Sequence, residues 1–139
     1  MMASRESPPE GQRNDFVGPN TLGDAVSATR RFAMDHGLGS RDRAHLCIIV
    51  EELIANLIEH GSGGRQIALD LARQPASIAL AIEDDGAAFD PRNAPANAVI
   101  PARGGGAGLR LVSAWSRIVD YRSTNGRNRL ELEMPLTER

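Results

Sequence analysis

The chain has 139 residues, 41% of them hydrophobic, and a net charge of −2. That suits one domain with one core and supplies no basic field for a nucleic-acid backbone or an anionic membrane. All 16 basic residues are arginine, so a Walker-A lysine, a Schiff-base lysine and a lysine base are excluded.

Residues 1–14 are polar and hold Pro8, Pro9 and Gly11, which predicts a disordered tail ahead of a domain over 15–139. Asp15-Phe16-Val17 reads as a short edge strand. Thr21 offers an N-cap with Asp24 three residues on, and Leu22, Ala25, Val26, Phe32 and Ala33 predict a first helix closed by Gly37. Ser40 is the next N-cap candidate. Leu46, Ile49, Val50, Leu53, Ile54 and Leu57 then trace one helical face to about His60.

The period changes to two at Ile67-x-Leu69-x-Leu71 and again at Ile78-x-Leu80-x-Ile82, with Gln74-Pro75-Ala76 between. This predicts a β-hairpin with one face on the core. Residues 91–105 carry three prolines and little periodicity, the mark of a long loop. A third helix starts near Gly106 and covers Leu109, Leu111, Val112 and Trp115. Strands at about 117–123 and 128–135 flank Asn125-Gly126, a strong hairpin turn. Hairpins without βαβ crossovers predict an α+β, two-layer sandwich: a mostly antiparallel mixed sheet with helices on one face.

No apolar run is long enough for a signal peptide core or a bilayer span, so a cytoplasmic protein is expected. Cys47 is the single cysteine and cannot form an internal disulfide. His36, His45 and His60 lack metal-ligand spacing.

Three clusters are candidates for chemistry. Glu52 and Asn56 stand one turn apart on the second helix, at the border of its apolar stripe. An amide oxygen can ligate Mg²⁺ and a carboxylate can accept a proton; an ordinary amphipathic helix with polar boundary residues also fits. Asp84-Asp85-Gly86 ends a buried strand. Asp84 can accept a hydrogen bond from an exocyclic amine, and Gly86 permits close approach of a planar ligand; a plain tight turn also fits. Gly104-Gly105-Gly106-Ala107-Gly108-Leu109 opens the third helix, where converging amides attract phosphate; a flexible linker also fits. Neither the P-loop nor the dinucleotide fingerprint is present.

The order and spacing of the three clusters resemble the N, G1 and G2 boxes of the GHKL (Bergerat-fold) ATPase superfamily. Glu51-Glu52-Leu53-Ile54-Ala55-Asn56 with His60-Gly61, Asp84-Asp85-Gly86 with Phe89-Asp90-Pro91, and Gly105-Gly106-Ala107-Gly108-Leu109 with Leu111-Val112 look like its bacterial anti-sigma factor/serine kinase branch. Asp120-Tyr121 and Asn125-Gly126-Arg127-Asn128 are similar to that branch too. The likeness covers roughly 16–136.

The resemblance implies ATP and Mg²⁺ as cofactors, with Asn56 as the metal ligand and Glu52 as the base that takes a proton from a substrate serine. Asp84 would recognise adenine above Gly86. Arg103, Gly104, Gly105, Gly106, Ala107, Gly108 and Leu109 would surround the phosphates. It further implies a STAS-type anti-anti-sigma protein as substrate, a sigma factor or other effector as partner, and a homodimer. Two departures stand out. Arg103 precedes three glycines, one position displaced from the lid arginine of close relatives. The late strand lacks the threonine that supports adenine recognition in many members, and Asn128 is its nearest polar candidate. The displaced arginine keeps open a nucleotide-dependent protein-binding module without kinase activity. A switch controlling an effector other than a sigma factor also stays open.

Overall fold

The structure is a computed structural model and describes residues 11–60, 66–88 and 105–137. The elements run β1 (Gly11–Phe16), α1 (Thr21–Asp35), α2 (Ser40–His60), β2 (Ile67–Arg73), β3 (Ser77–Asp84), α3 (Gly105–Trp115), β4 (Arg117–Thr124) and β5 (Arg127–Pro135). The five strands form one sheet in the order β1-β2-β3-β5-β4, and every neighbouring pair is antiparallel. This is the expected two-layer α+β architecture, antiparallel throughout rather than mixed.

Alternation sorts the strands into two faces. Ile67, Leu69 and Leu71 of β2, Ile78, Leu80 and Ile82 of β3, and Leu130, Leu132 and Met134 of β5 are buried on one face. They join Phe32 of α1, Leu46, Ile49, Val50, Leu53 and Ile54 of α2, and Val112 of α3 in a single core. The apolar stripe foreseen on α2 is therefore the wall that closes the sheet. The outer face carries Arg13, Asp70, Glu83, Arg129 and Glu131, tied to one another by ion pairs.

Helix ends differ from the sequence expectations in two places. Thr21 is the first helical residue, not the cap; its hydroxyl turns back to donate to the Gly18 carbonyl at 2.8 Å. Ser40 is likewise already helical, and Gly39 supplies the carbonyl that accepts from the Arg43 amide. The other end of α1 closes as expected. Gly37 has φ +69, its amide donates to the Met34 carbonyl, and Leu38 donates to the Ala33 carbonyl. This paired bonding is a Schellman closure, which needs a left-handed residue at Gly37.

The first strand is longer than Asp15-Phe16-Val17 suggested. Gly11 to Asn14 belong to β1 and pair with Ala72 to Leu69 of β2, because a polar edge strand needs only backbone pairing and a few ion pairs. Residues 1–10 lie outside the described residues.

Two contacts fasten the periphery. Asp42, 1% exposed in the first turn of α2, accepts from the Thr137 amide at 3.0 Å and from its hydroxyl at 2.7 Å. His45 of α2 stacks on Trp115 at the end of α3, with centroids 3.7 Å apart. No helix among the described residues is long and apolar enough to cross a membrane.

The outer-face network has a pH consequence. Glu83 accepts from Arg13 at 3.1 Å, from Arg129 at 2.6 Å and from Arg127 at 3.1 Å. The Arg13 hydrogen bond, followed by those of Arg129 and Arg127, holds the Glu83 carboxyl down at about 2. A depressed acid contributes stability that is complete above its unfolded value and is lost as pH falls through its folded value. Stability should therefore decline between about pH 4.5 and 2, by about 1–2 kcal/mol from Glu83 after allowing for solvent screening. Urea titrations across that range should show a shallower decline in Glu83→Gln. An equal slope in both proteins would rule the network out as its source.

Candidate functional site

The motif residues of α2 and β3 meet at one end of the sheet. Asp84 follows Ile78, Leu80 and Ile82 on the core-facing side of β3, so alternation carries a carboxylate to the rim of the core. It is 6% exposed. Asn56 is buried on the adjoining wall of α2, one turn past the half-buried Glu52. A cleft of about 20 Å³ runs between them, lined by Leu53, Asn56 and Leu57 from α2, Ile82 and Asp84 from β3, and Tyr121, Asn128 and Leu130 from β4 and β5.

The chemistry of that wall is specific. Asp84 Oδ2 accepts from the Gly86 amide at 2.8 Å and from Asn128 Nδ2 at 3.2 Å. The first bond closes the Asp84-Asp85-Gly86 turn on itself, as Asp-initiated turns do. Asn56 makes no side-chain hydrogen bond among the described residues, yet no buried side-chain polar atom there lacks a partner. Its amide atoms therefore keep contact with solvent through the cleft. The same residues contain no group of three or more His, Cys, Asp or Glu able to hold a metal. A Mg²⁺ ion here would need most of its ligands from phosphate oxygens and water, which is how Mg²⁺ commonly sits. One amide oxygen fits that arrangement.

Gly105 to Leu109 form the first turns of α3, as the glycine cluster implied. Arg103, Gly104 and the Phe89-Asp90-Pro91 segment lie outside the described residues.

A larger hollow, about 640 Å³, lies on the opposite face of the sheet. Ala72, Ala79 and Ala81 floor it, and none of the motif residues line it. Its charged rim is already paired, as at Arg13–Asp70 and Arg117–Glu133. The smaller cleft has the buried carboxylate and the buried amides, and these mark a ligand site more strongly than volume does.

Tyr121 and Ser123 were not identified from the sequence as site residues. The signal for both is the Asn125-Gly126 turn. Both residues have positive φ, 56 and 78, the geometry of a two-residue type I′ hairpin. Counting outward from it pairs Ser123 with Asn128 and Tyr121 with Leu130.

The comparisons agree with this fold. A family model described as "Histidine kinase-like ATPase domain" matches residues 18–134. A serine/threonine-protein kinase, BtrW of Bordetella bronchiseptica, is 29% identical over 123 residues, covering 84% of this chain and 87% of the relative. Among solved structures, the Erythrobacter litoralis EL346 blue-light activated histidine kinase superposes with a TM-score of 0.53 at 16% identity. That match covers 83% of this chain but only 40% of the kinase, so it bears on one part of a longer protein. The Acinetobacter baumannii histidine kinase AdeS gives 0.52 at 16% identity, over 91% of this chain and 68% of that one. The nucleotide-free catalytic domain of histidine kinase ThkA gives 0.52 at 11% identity, over 90% and 96%. At such identities the superpositions speak for the fold alone. The family match spans every residue that lines the cleft, and the chain belongs to the histidine kinase-like ATPase domain family.

Proposed function

We propose that this chain binds ATP with Mg²⁺ in the α2–β3 cleft and acts as a protein serine kinase in a partner-switching pathway. The observation that carries the reading is the meeting of Asn56 and Asp84 in one cleft of an ATPase-family domain. The likeness to a serine/threonine-protein kinase along 84% of the chain supports the choice of a hydroxyl as acceptor.

In this reading Asp84 accepts from the adenine amine and Gly86 lets the base lie close to backbone. Asn56 holds Mg²⁺, which supplies charge neutralisation at the phosphates. Arg103 and the turn Gly104 to Leu109 contact the phosphates. Glu52 takes the proton from a serine hydroxyl while its oxygen bonds to the γ-phosphorus and ADP departs. Little else is required, because phosphoryl transfer depends on positioning and charge stabilisation.

The substrate we assign is a STAS-type anti-anti-sigma protein. The partner released by its phosphorylation state is a sigma factor or another effector, with the kinase as a homodimer. The displaced Arg103 favours one alternative, a module that binds ATP and a protein partner without transferring phosphate.

Titration calorimetry tests the nucleotide half of this proposal. ATP should bind wild type more tightly with Mg²⁺ than with EDTA. Asn56→Ala should lose most of that difference, weakening Mg·ATP by about tenfold or more. Equal affinity with and without the metal would remove Asn56 from the role of ligand.

A further inference from the structure

One row of residues crosses the sheet beneath the proposed base site. Ser123 of β4 pairs with Asn128 of β5, and Asn128 pairs with Asp84 of β3. All three point to the helix-covered face. Their hydrogen bonds run in one direction. The Ser123 hydroxyl donates to Asn128 Oδ1 at 2.7 Å. Asn128 Nδ2 donates to Asp84 Oδ2 at 3.2 Å, to the Gly86 carbonyl at 3.0 Å and, at 3.4 Å, to the Ala87 carbonyl.

The Ser123 hydroxyl donor at one end and the acceptors at the other together fix which way the amide faces. Its nitrogen is surrounded by a carboxylate and two carbonyls, all acceptors, and only the NH₂ group satisfies them. Turning the amide over would set its oxygen against those acceptors in a site where Asn128 is 3% exposed. Asn128 therefore spends both hydrogens inside the protein and offers none to a ligand.

Asp84 is restricted in the same way. Both described hydrogen bonds to its carboxylate fall on Oδ2. Oδ1 is left as the acceptor, and neither Asn128 nor the Gly86 amide is left as a donor. We propose that Asn128, oriented by Ser123, is a base-specificity residue: it holds Asp84 as a one-sided acceptor that selects purines with a 6-amino group and rejects 6-oxo purines. The inference rests on the reading that the cleft takes ATP, and adds which residues make it ATP rather than another purine triphosphate.

Substitution at Asn128 weakens the recognition. Asn128→Asp places a second carboxylate beside Asp84 Oδ2. Two carboxylates at hydrogen-bond distance do not both ionise, so the pair shares a proton near neutrality. Asp84 then loses charge and its fixed orientation as an acceptor, and with them its preference for a 6-amino over a 6-oxo purine. Ser123→Ala frees the amide oxygen end with little risk to folding, since Ser123 is exposed.

The test measures Kd for Mg·ATP and Mg·ITP by calorimetry in wild type, Ser123→Ala, Ser123→Thr and Asn128→Asp. Wild type should prefer ATP by about 100-fold. The ratio should fall at least about tenfold in Asn128→Asp and about threefold in Ser123→Ala, and return to within about twofold of wild type in Ser123→Thr, which keeps the hydroxyl. A ratio unchanged in Ser123→Ala, or ATP and ITP weakening together in Asn128→Asp, overturns the proposal and leaves ATP binding standing. Wild type that binds neither triphosphate overturns the proposal together with the reading beneath it.

Discussion

Replacing Asp84 with Asn is expected to weaken ATP binding by about 100-fold while leaving the protein folded. The side chains are the same shape, so packing is conserved. The change is in hydrogen-bond polarity. Asp84 Oδ2 already accepts from the Gly86 amide and from Asn128 Nδ2. An asparagine has one oxygen to meet both donors, and spending it there turns its NH₂ outward as a donor. The adenine amine then meets a donor where it needs an acceptor. The opposite rotamer rescues the ligand contact but sets NH₂ against the Gly86 amide and the Asn128 amide. That leaves the Gly86 amide without its acceptor and sets two NH₂ groups against each other, although Asn128 Nδ2 keeps the Gly86 and Ala87 carbonyls, at a cost of about 1–3 kcal/mol. Neither rotamer serves both sides, so affinity falls whichever is adopted. Calorimetry gives the affinity and thermal unfolding gives the fold. A folded Asp84→Asn protein that binds ATP within about threefold of wild type would remove Asp84 from base recognition.

Much of this site was legible because the sequence periods carry polar residues onto apolar faces. Ile78, Leu80 and Ile82 set the phase of β3, and the same count of two delivers Asp84 to the core side. On α2 the stripe through Leu53 and Leu57 leaves Asn56 beside it, where the structure finds it buried. Those phases follow from side-chain geometry and survive any arrangement of the strands. What they do not contain is which strands become neighbours. The order β1-β2-β3-β5-β4 puts β5 beside β3, across the 42 residues of sequence between Asp84 and Arg127. Only that pairing brings Asn128 onto Asp84 and makes Ser123 the third member of the row. The helix caps were misplaced for a smaller reason. Thr21 and Ser40 are good cap residues, but the first helical bonds run from Asp24 to the Asn20 carbonyl and from Arg43 to the Gly39 carbonyl, which puts the residues before them, Asn20 and Gly39, at the cap. The polar strand Gly11 to Asn14 carries no hydrophobic alternation, so nothing in its sequence separated it from a tail.

Glu52→Gln separates transfer from binding, and should lower phosphotransfer by about a thousandfold with ATP affinity unchanged. Glu52 lies one turn before Asn56 on α2 and does not line the cleft that holds Asp84. An isosteric amide there keeps shape and hydrogen-bonding reach, but it cannot take a proton from a serine hydroxyl near neutral pH. The loss should therefore fall on the chemical step alone. Transfer of labelled γ-phosphate to a STAS-type protein measures that step, and calorimetry measures binding in the same preparations. Loss of transfer with retained affinity identifies the base. Equal transfer by both proteins would mean that the proton leaves by another route, and Glu52 would lose its role. Wild type that binds Mg·ATP tightly, transfers nothing to a STAS protein that it demonstrably binds, and releases that partner as ATP is hydrolysed or exchanged would decide for the binding module. The displaced Arg103 would then be the residue to move. Shifting it one position toward α3 should restore transfer if its absence from the γ-phosphate is what separates a nucleotide-gated clamp from a kinase.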